Sequence, residues 1–371
     1  MLLEILPMLI TSFTSLSVPA PVPSSMTSRT EIVSFTPDAV SCADGSVQST
    51  GLVRPLSVVW TRYASSSDVA PPPTYGFSFA IDAQGRVRTI RQHVRSLSNY
   101  YFDTSDLAPA LAVSHFPASA PHAACSVRYK ASFRPIETAA MSDLYELASR
   151  PEVTGTPAGL FERVRPADST CPTQPGQYRR LNLPAFEKLP SIVGGSAWVF
   201  FAFDVDTSGK PSRARALGSS GDTALDTAGL HALLANRYAP GPGYRGCTYH
   251  FYRTDNSNHA APELPSDAPA DMSDQPSCAV DPKSISGLLN GSAYPKPFSR
   301  RHIEGVAVVG YDTAPWGAVG NVKVLLSEPD ETFGNVARNA ISNARVTEND
   351  TGRRGCIQRI RFKLPPTRIA R

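Results

Sequence analysis

The sequence predicts an α+β fold made of three tandem units, each a small antiparallel sheet with a helix packed on one face. Two observations lead to this prediction. A cysteine opens a run of alternating apolar and polar residues three times, at Cys125, Cys247 and Cys356, and such alternation is typical of a β-strand. Before each of these strands the chain has the pattern of strand, turn, strand and helix, an order that suits a helix laid across a small sheet.

The composition agrees with several compact units joined by Pro-rich connections. A chain of 371 residues is long enough for two or three domains, and 41% apolar residues allow each of them a packed core. The 34 prolines exceed average usage, which indicates many connecting segments. A net charge of +4 is too small to indicate a nucleic-acid partner.

The first 22 residues resemble a secretory signal peptide. A mostly apolar run from Ile5 to Val18 is followed by small residues up to Ala20, where cleavage is expected. Glu4 and Pro7 make the same run a poor membrane-spanning helix. Export is therefore expected. The alternative is an uncleaved N-terminus that anchors the chain and makes its one contact with a membrane.

The six cysteines predict three disulfide bonds. Six cysteines permit fifteen pairings. Here one cysteine of each repeat opens a strand and another lies upstream in a polar loop, at separations of 83, 76 and 78 residues. One bridge in each unit is the simplest pairing, and it requires an oxidising compartment. The predicted bridges are Cys42–Cys125, Cys171–Cys247 and Cys278–Cys356.

Two other roles for these cysteines are open from the sequence. The six thiols could be reduced residues of the core. His115, His122 and Cys125 are close in sequence and could supply three ligands to a metal, although the chain has no Cys-x-x-Cys pair. A polar loop before a strand explains the same residues, so no metal site, no cofactor and no catalytic residue is predicted.

The first unit is predicted over residues 31–137. The run GFSFAIDAQGRVRTIR indicates two strands joined by turn residues from Asp82 to Gly85. A short helix, SDLAPALAVSHF, and the strand that begins at Cys125 complete the unit. A second short helix, MSDLYELASR, is predicted in the junction that follows.

The second unit is predicted over residues 158–254. Its strand WVFFAFDV ends in a turn from Asp206 to Gly209. Ser220 or Asp222 is expected to cap the next helix, and YRGCTYHFYR indicates the last strand. Four leucines are expected on the buried face of the helix: Leu225, Leu230, Leu233 and Leu234.

Residues 255–272 are polar, acidic and Pro-rich, and they predict a linker that leads into the third unit, residues 273–366. The last strand of this unit alternates basic with apolar residues, which directs the charges to solvent. Such charges also protect an edge strand from aggregation. The helix of the unit is clearly amphipathic, with its apolar positions at Phe333, Val336, Ala337, Ala340, Ile341 and Ala344.

The third unit, from about residue 290 to 365, resembles the C-terminal domain of the TonB family. The matching motifs are Tyr294-Pro295, Ile303-Glu304-Gly305, Gly320-Asn321-Val322, Phe333 and the run from Phe362 to Pro365. The first two units look like diverged copies, since they keep the order of elements without the Tyr-Pro and Glu-Gly motifs. The resemblance thus implies three tandem TonB-C-like domains.

The resemblance implies a function as well as a fold. Domains of this family bind outer-membrane transporters by accepting a short peptide strand at a sheet edge, through main-chain hydrogen bonds. For this chain, the resemblance implies a non-enzymatic periplasmic protein of a Gram-negative envelope, linked to outer-membrane transport. Its partner would be a peptide or protein such as an outer-membrane receptor. The implied binding residues are Gln358, Arg359, Ile360, Arg361, Phe362 and Lys363.

Three alternative functions follow from the same sequence. The protein could be a membrane-anchored TonB-type energy transducer for TonB-dependent transporters, although the chain lacks the long spacer of that family. It could be an envelope enzyme with an unrecognised site, for which a cleft with several titratable groups is expected. It could also be a structural array of repeats without a binding partner.

Overall fold

A computed structural model describes most of the chain. The described ranges are 28–47, 51–63, 72–95, 102–151, 159–172, 177–192, 196–254, 258–275, 277–281, 294–348 and 351–365. The signal-like residues 1–22 and the first linker residues, 255–257, lie outside them. The described residues form a mixed α/β protein with several antiparallel sheets and few helices. No helix among them is long and apolar enough to cross a membrane.

The first unit contains a sheet that is larger than predicted. Its elements are Ser28–Pro37 (β1), Ser41–Cys42 (β2), Gly45–Ser46 (β3), Val58–Tyr63 (β4), Thr74–Ile81 (β5), Val87–Arg95 (β6), Leu107–Ala112 (α1) and His122–Pro135 (β7). β5 pairs with β6 and β7 as expected. β7 also pairs with β1 and β2, which extend the sheet to β4 and β3. The prediction missed these strands because it followed only the elements that the three units share.

The second unit carries helices on both faces of its sheet, not on one. The junction before it contains Met141–Ser149 (α2). The elements of the second unit are Leu160–Val164 (α3), Tyr178–Arg180 (β8), a 3-10 helix at Phe186–Lys188, Ser196–Val205 (β9), Pro211–Ser219 (β10), Thr223–Ala235 (α4), Arg237–Tyr238 (β11) and Tyr244–Thr254 (β12). The sheet order is β10-β9-β12, and β8 pairs with β11. On one face α4 packs against Phe201, and on the other α2 packs against Phe200.

The junction between the first two units is a packed core. The predicted helix MSDLYELASR is α2, and its Leu144 and Leu147 are buried. They share an apolar cluster with Ile32 and Ile136 of the first unit and with Leu160 of α3. The first two units are therefore joined by side-chain packing as well as by the chain.

The third unit is a three-stranded sheet with one long helix. Its elements are Lys296–Arg300 (α5), Gly305–Thr313 (β13), Val319–Glu328 (β14), Glu331–Ser342 (α6) and Arg353–Phe362 (β15), with sheet order β14-β13-β15. Of the predicted apolar positions Val336 is half-buried, and the others are buried. The family pattern implied a turn at Gly320-Asn321-Val322, but these residues lie within β14. The turn spans residues 314–318, where the Ala314 N–H donates to the Ala318 carbonyl.

The described part of the predicted linker packs along the third unit. The His259 N–H donates to the His302 carbonyl at 2.7 Å, and the Glu304 N–H donates to the His259 carbonyl at 2.8 Å. The Met272 N–H donates to the Ile357 carbonyl of β15, also at 2.8 Å. The composition predicted a polar spacer, but composition does not reveal that its main-chain groups bond to a strand that is 85 residues downstream.

One turn recurs in all three units and requires a glycine in each. Gly85, Gly209 and Gly317 have φ values of 77°, 82° and 77°, which residues with a Cβ rarely adopt. A Cβ on these glycines would lie 1.9, 2.2 and 2.2 Å from a carbonyl oxygen of the segment that follows the helix. The same segment donates an N–H to the glycine carbonyl, from Phe116, Tyr238 and Val346 respectively. The turn between the first two strands of each unit is thus tied to the chain beyond its helix.

The three predicted disulfide bonds are present: Cys42–Cys125, Cys171–Cys247 and Cys278–Cys356. All six cysteines are buried, and none of them is a free thiol. The bridge at Cys125 also removes the thiolate from the suggested metal ligands. His122 Nδ1 lies 2.6 Å from a carboxylate oxygen of Asp44 instead.

Asp222, and not Ser220, caps α4. Its Oδ1 accepts hydrogen bonds from the N–H groups of Ala224 and Leu225, both at 3.1 Å. The prediction for the buried face holds for Leu225 and Leu233, and Leu230 is half-buried. The inward orientation predicted for Leu234 is wrong, since this side chain is 37% exposed. One residue corresponds to a rotation of about 100° around a helix, which turns Leu234 away from the sheet.

Asp330, at the N-terminus of α6, is expected to make stability depend on pH. Its carboxylate accepts the Thr332 N–H at 2.8 Å, and burial raises its pKa from 3.8 to about 6. Because the folded pKa lies above the unfolded one, this group stabilises the fold below pH 3.8, and the contribution is lost as the pH rises through about 6. The loss corresponds to about 3 kcal/mol.

The variant Asp330→Asn keeps a capping oxygen and removes the titration. The wild type loses stability between about pH 4 and pH 7 through this group, and the variant does not. The free energy of unfolding of the variant minus that of the wild type is therefore expected to rise by about 2.5 kcal/mol over this range, measured by urea unfolding. Glu331→Gln, at an exposed neighbouring position, is the control and should gain much less. An equal difference in stability at both pH values would show that Asp330 does not titrate in this range.

Candidate peptide-binding edges

The predicted binding edge is the outer side of β15. Ile357 directs its carbonyl away from β13, since that carbonyl accepts the Met272 N–H. In an antiparallel pair the main-chain groups of successive residues point to opposite sides, so those of Arg359 and Arg361 also point outward. The residues whose main-chain groups point to β13 are Gln358, Ile360 and Phe362.

The linker covers part of this edge. The Arg359 N–H lies 3.3 Å from Oδ2 of Asp271. The Arg359 guanidinium donates to the carbonyls of Ala268 and Pro269 at 3.0 and 2.7 Å. The sequence predicted a solvent-facing Arg359, whereas this side chain folds over residues 268–271.

A short stretch of the edge remains beyond the linker. Within the described ranges, no hydrogen bond joins the outward groups of Arg361 to another segment, and the side chains of Arg361 and Lys363 are exposed. The Leu364 N–H donates to Oε1 of Glu304 at 3.1 Å and closes the far end. Three further predicted binding residues have side chains in or near the core, namely Gln358, Ile360 and Phe362.

The equivalent edge of the first unit is filled by the chain itself. β1 runs antiparallel along the outer side of β7, with paired residues from Glu31 and Pro135 to Pro37 and Tyr129. Asp38 continues the contact through its N–H, which donates to the Arg128 carbonyl at 2.7 Å. β1 also buries three apolar side chains, Ile32, Val33 and Phe35. The last strand of this unit therefore accepts an added strand within one chain.

In the second unit the equivalent edge is the outer side of β12. The Trp198 carbonyl points to β10, because it accepts the Ser220 N–H at 2.9 Å. Trp198 is paired with Tyr252 of β12, whose main-chain groups must therefore point outward. The same alternation directs the main-chain groups of Thr248 and His250 outward.

A cavity of about 460 Å³ lies beside this edge. The upstream segment covers only the beginning of β12, where the Thr170 N–H donates to the Arg245 carbonyl at 3.0 Å. Further along, the cavity is lined by residues of α3 and β8, by Phe200 of β9, and by Thr248 and His250 of β12. Burial lowers the pKa of His250, so its imidazole is neutral near pH 7.

A second cavity, of about 430 Å³, lies where the three units meet. Three arginines and one glutamate line it, namely Arg54, Arg150, Arg301 and Glu146, and burial raises the pKa of Glu146. Two of the guanidinium groups are paired with carboxylates, Arg54 with Asp143 and Arg301 with Asp106. These pairs join segments that are far apart in the sequence, which gives the cluster a structural role. The envelope-enzyme alternative stays a hypothesis.

No protein-family model matches the chain, and no curated protein shows significant similarity to it. The TonB-family resemblance therefore rests on the motifs of the third unit. Sequence reasoning missed the segments that cover two of the edges, residues 28–37 and 268–272. The strand-like run EIVSF was an available signal for β1. The cavity beside β12 has no sequence signal, because it depends on the position of α3.

Proposed function

We propose that this protein is a non-enzymatic binding protein of the Gram-negative periplasm, made of three tandem TonB-C-like domains. It binds extended segments of protein partners by β-strand addition, in an envelope process linked to outer-membrane transport. The observation that supports this proposal most directly is the pairing of β1 with β7. Because the first unit accepts a strand at this edge, the last strands of the other two units offer the same kind of surface.

The chemistry of the β15 edge supports a preference for an acidic partner. Each net main-chain hydrogen bond contributes about 1 kcal/mol, and the stretch around Arg361 offers few of them. A partner therefore needs side-chain contacts as well, or it must displace residues 268–272. The exposed side chains of Arg361 and Lys363 favour carboxylates in the added segment. Three disulfide bonds are compatible with export to an oxidising compartment.

Photocrosslinking of the full chain in envelope extract tests this proposal. A photoreactive residue at Lys363 is expected to capture a partner, whereas one at Lys210, an exposed turn position of the second unit, is not. Arg361→Pro should abolish the adduct, because proline removes the outward N–H without removing a bond to β13.

Amide hydrogen exchange of the isolated chain gives an independent check. The Arg361 amide is expected to exchange much faster than those of Gln358 and Ile360, which point to β13. Full protection of the Arg361 amide in the isolated monomer would count against an accessible edge. An unchanged adduct yield in the Arg361→Pro variant would show that capture at Lys363 does not involve strand addition.

A further inference from the structure

The outer edge of the last strand is covered to a different extent in each unit. In the first unit β1 covers it and runs antiparallel to β7, and in the third unit residues 268–272 cover part of it. In the second unit the segment upstream of the bridged Cys171 forms α3, and a cavity lies between α3 and β12. No described segment of the second unit therefore occupies the position that β1 fills in the first.

This cavity extends from one face of the sheet to the edge of the strand, since Phe200 of the central strand β9 lines it together with residues of β12. Thr248 and His250 point to one face and Tyr249 to the other, yet all three line the cavity. In the part of the chain that the structure describes, no hydrogen bond joins the outward main-chain groups of Thr248 and His250 to another segment. A strand that enters the cavity would meet the N–H and C=O groups of both residues.

The cavity is lined by several aromatic side chains and by one acidic and one basic side chain. Phe161 of α3 is 55% exposed and Tyr178 of β8 is 37% exposed, and both line the cavity. Glu162 and Arg165 also line it, and their charges oppose each other. With His250 neutral, these surroundings favour an uncharged apolar side chain over a charged one.

We propose that the β12 edge and this cavity form a second binding site for an extended segment of a partner protein. The segment runs antiparallel to β12 and places an uncharged aromatic or branched aliphatic side chain in the cavity. The inference rests on the proposed function, and it adds a site and the side-chain chemistry of the partner. Main-chain bonds at Thr248 and His250 set the register, and contact with Phe161 and Tyr178 selects the side chain.

The peptide of residues 28–37 is the probe, because the fold already uses it as an added strand. Fluorescence anisotropy with the labelled peptide and the full chain is expected to show binding. The same peptide with serine at its three buried apolar positions is expected to bind at least about tenfold more weakly. Those positions are Ile32, Val33 and Phe35.

Two protein variants test the two parts of the site. Phe161→Ser is expected to weaken binding of the peptide about tenfold, because it removes an aromatic wall. Leu183→Ser is the matched control, since Leu183 is 58% exposed and lies outside the cavity, and it should leave the affinity unchanged. His250→Pro removes an outward N–H that the sheet does not use and should abolish binding. Circular dichroism checks the fold of each variant.

Equal affinity of the wild type and the Phe161→Ser variant would overturn the proposal, and so would an absence of peptide binding. Binding that is lost in Arg361→Pro and kept in His250→Pro would place the peptide on β15. That outcome would contradict a second site at β12 without contradicting the proposed function. Peptide binding at β12 together with no crosslinking at Lys363 would instead contradict the β15 edge alone.

Discussion

Replacing Cys171 and Cys247 with serine is expected to lower the free energy of unfolding of the second unit by about 4.5 kcal/mol. The bridge closes a segment with a sequence separation of 76 residues, and it restricts the unfolded chain far more than the folded one. It ties the start of β12 to the segment before β8, so its loss also removes a covalent connection beside the candidate cavity. Guanidinium unfolding without reductant measures the effect.

Peptide mapping without reductant provides the control for this experiment. In the double variant the other two bridges, Cys42–Cys125 and Cys278–Cys356, should remain intact. A loss of stability below about 1 kcal/mol would contradict the role assigned to the bridge. A crosslink between Cys171 and Cys278 in the wild-type protein would contradict the pairing itself.

Asp106→Ala is expected to destabilise the protein by about 3–5 kcal/mol, because it leaves a buried guanidinium without its carboxylate. Arg301 is 3% exposed and Asp106 is 6% exposed. Arg301 Nε donates to Asp106 Oδ1 at 2.6 Å, and a second bond runs from Nη2 to Oδ2 at 2.5 Å. Asp106 also accepts the Leu56 N–H at 2.7 Å, so its loss removes a second buried contact. Urea unfolding measures the change.

A matched control for this variant lies three residues upstream. Asp103 is 4.0 Å from Arg300, and its side chain is 54% exposed, so Asp103→Ala should cost less than about 1 kcal/mol. The double variant Asp106→Leu with Arg301→Met should recover most of the lost stability, since it replaces both charges with apolar groups. A loss as large in Asp103→Ala as in Asp106→Ala would show that burial of the pair is not the cause.

The buried pair of Asp106 and Arg301 joins the first unit to the third, and this connection bears on the position of the candidate β15 edge. Two further contacts join them: the Ile90 N–H donates to the Pro329 carbonyl at 2.7 Å, and the Thr89 N–H donates to Oε2 of Glu328 at 2.9 Å. These contacts place β6 beside the end of β14. In a sheet of order β14-β13-β15, β6 thus lies on the β14 side, and β15 lies on the opposite side.

Much of the fold follows from patterns that are local in the sequence. The turn residues from Asp82 to Gly85 and from Asp206 to Gly209 join paired strands as predicted. The apolar spacing of α6 places Phe333 in the core, and the recurrence of a cysteine before each last strand leads to the three bridges. Turn chemistry and helical periodicity depend on neighbouring residues, so a single sequence is enough to reveal them.

The candidate sites were predicted less completely. The sequence pointed to the last strand of the third unit, but three of the six named residues lie in or near the core, and Arg359 is bonded to the linker. The outward direction of Arg361 follows from a register that a single strand does not reveal. The sequence indicated that YRGCTYHFYR is the last strand of the second unit, but nothing in it indicates what lies beside the edge of that strand.

By itself, the sequence determined the order of strand, turn, strand, helix and strand that the three units share, the disulfide pairing and the last strand of each unit. Only the tertiary structure decided which of those strands are covered. The cover of β7 comes from β1, about 100 residues upstream, and the cover of β15 comes from residues 268–272. Strand edges all carry the same main-chain donors and acceptors, so sequence does not distinguish a covered edge from an uncovered one. Their state depends on where distant segments pack.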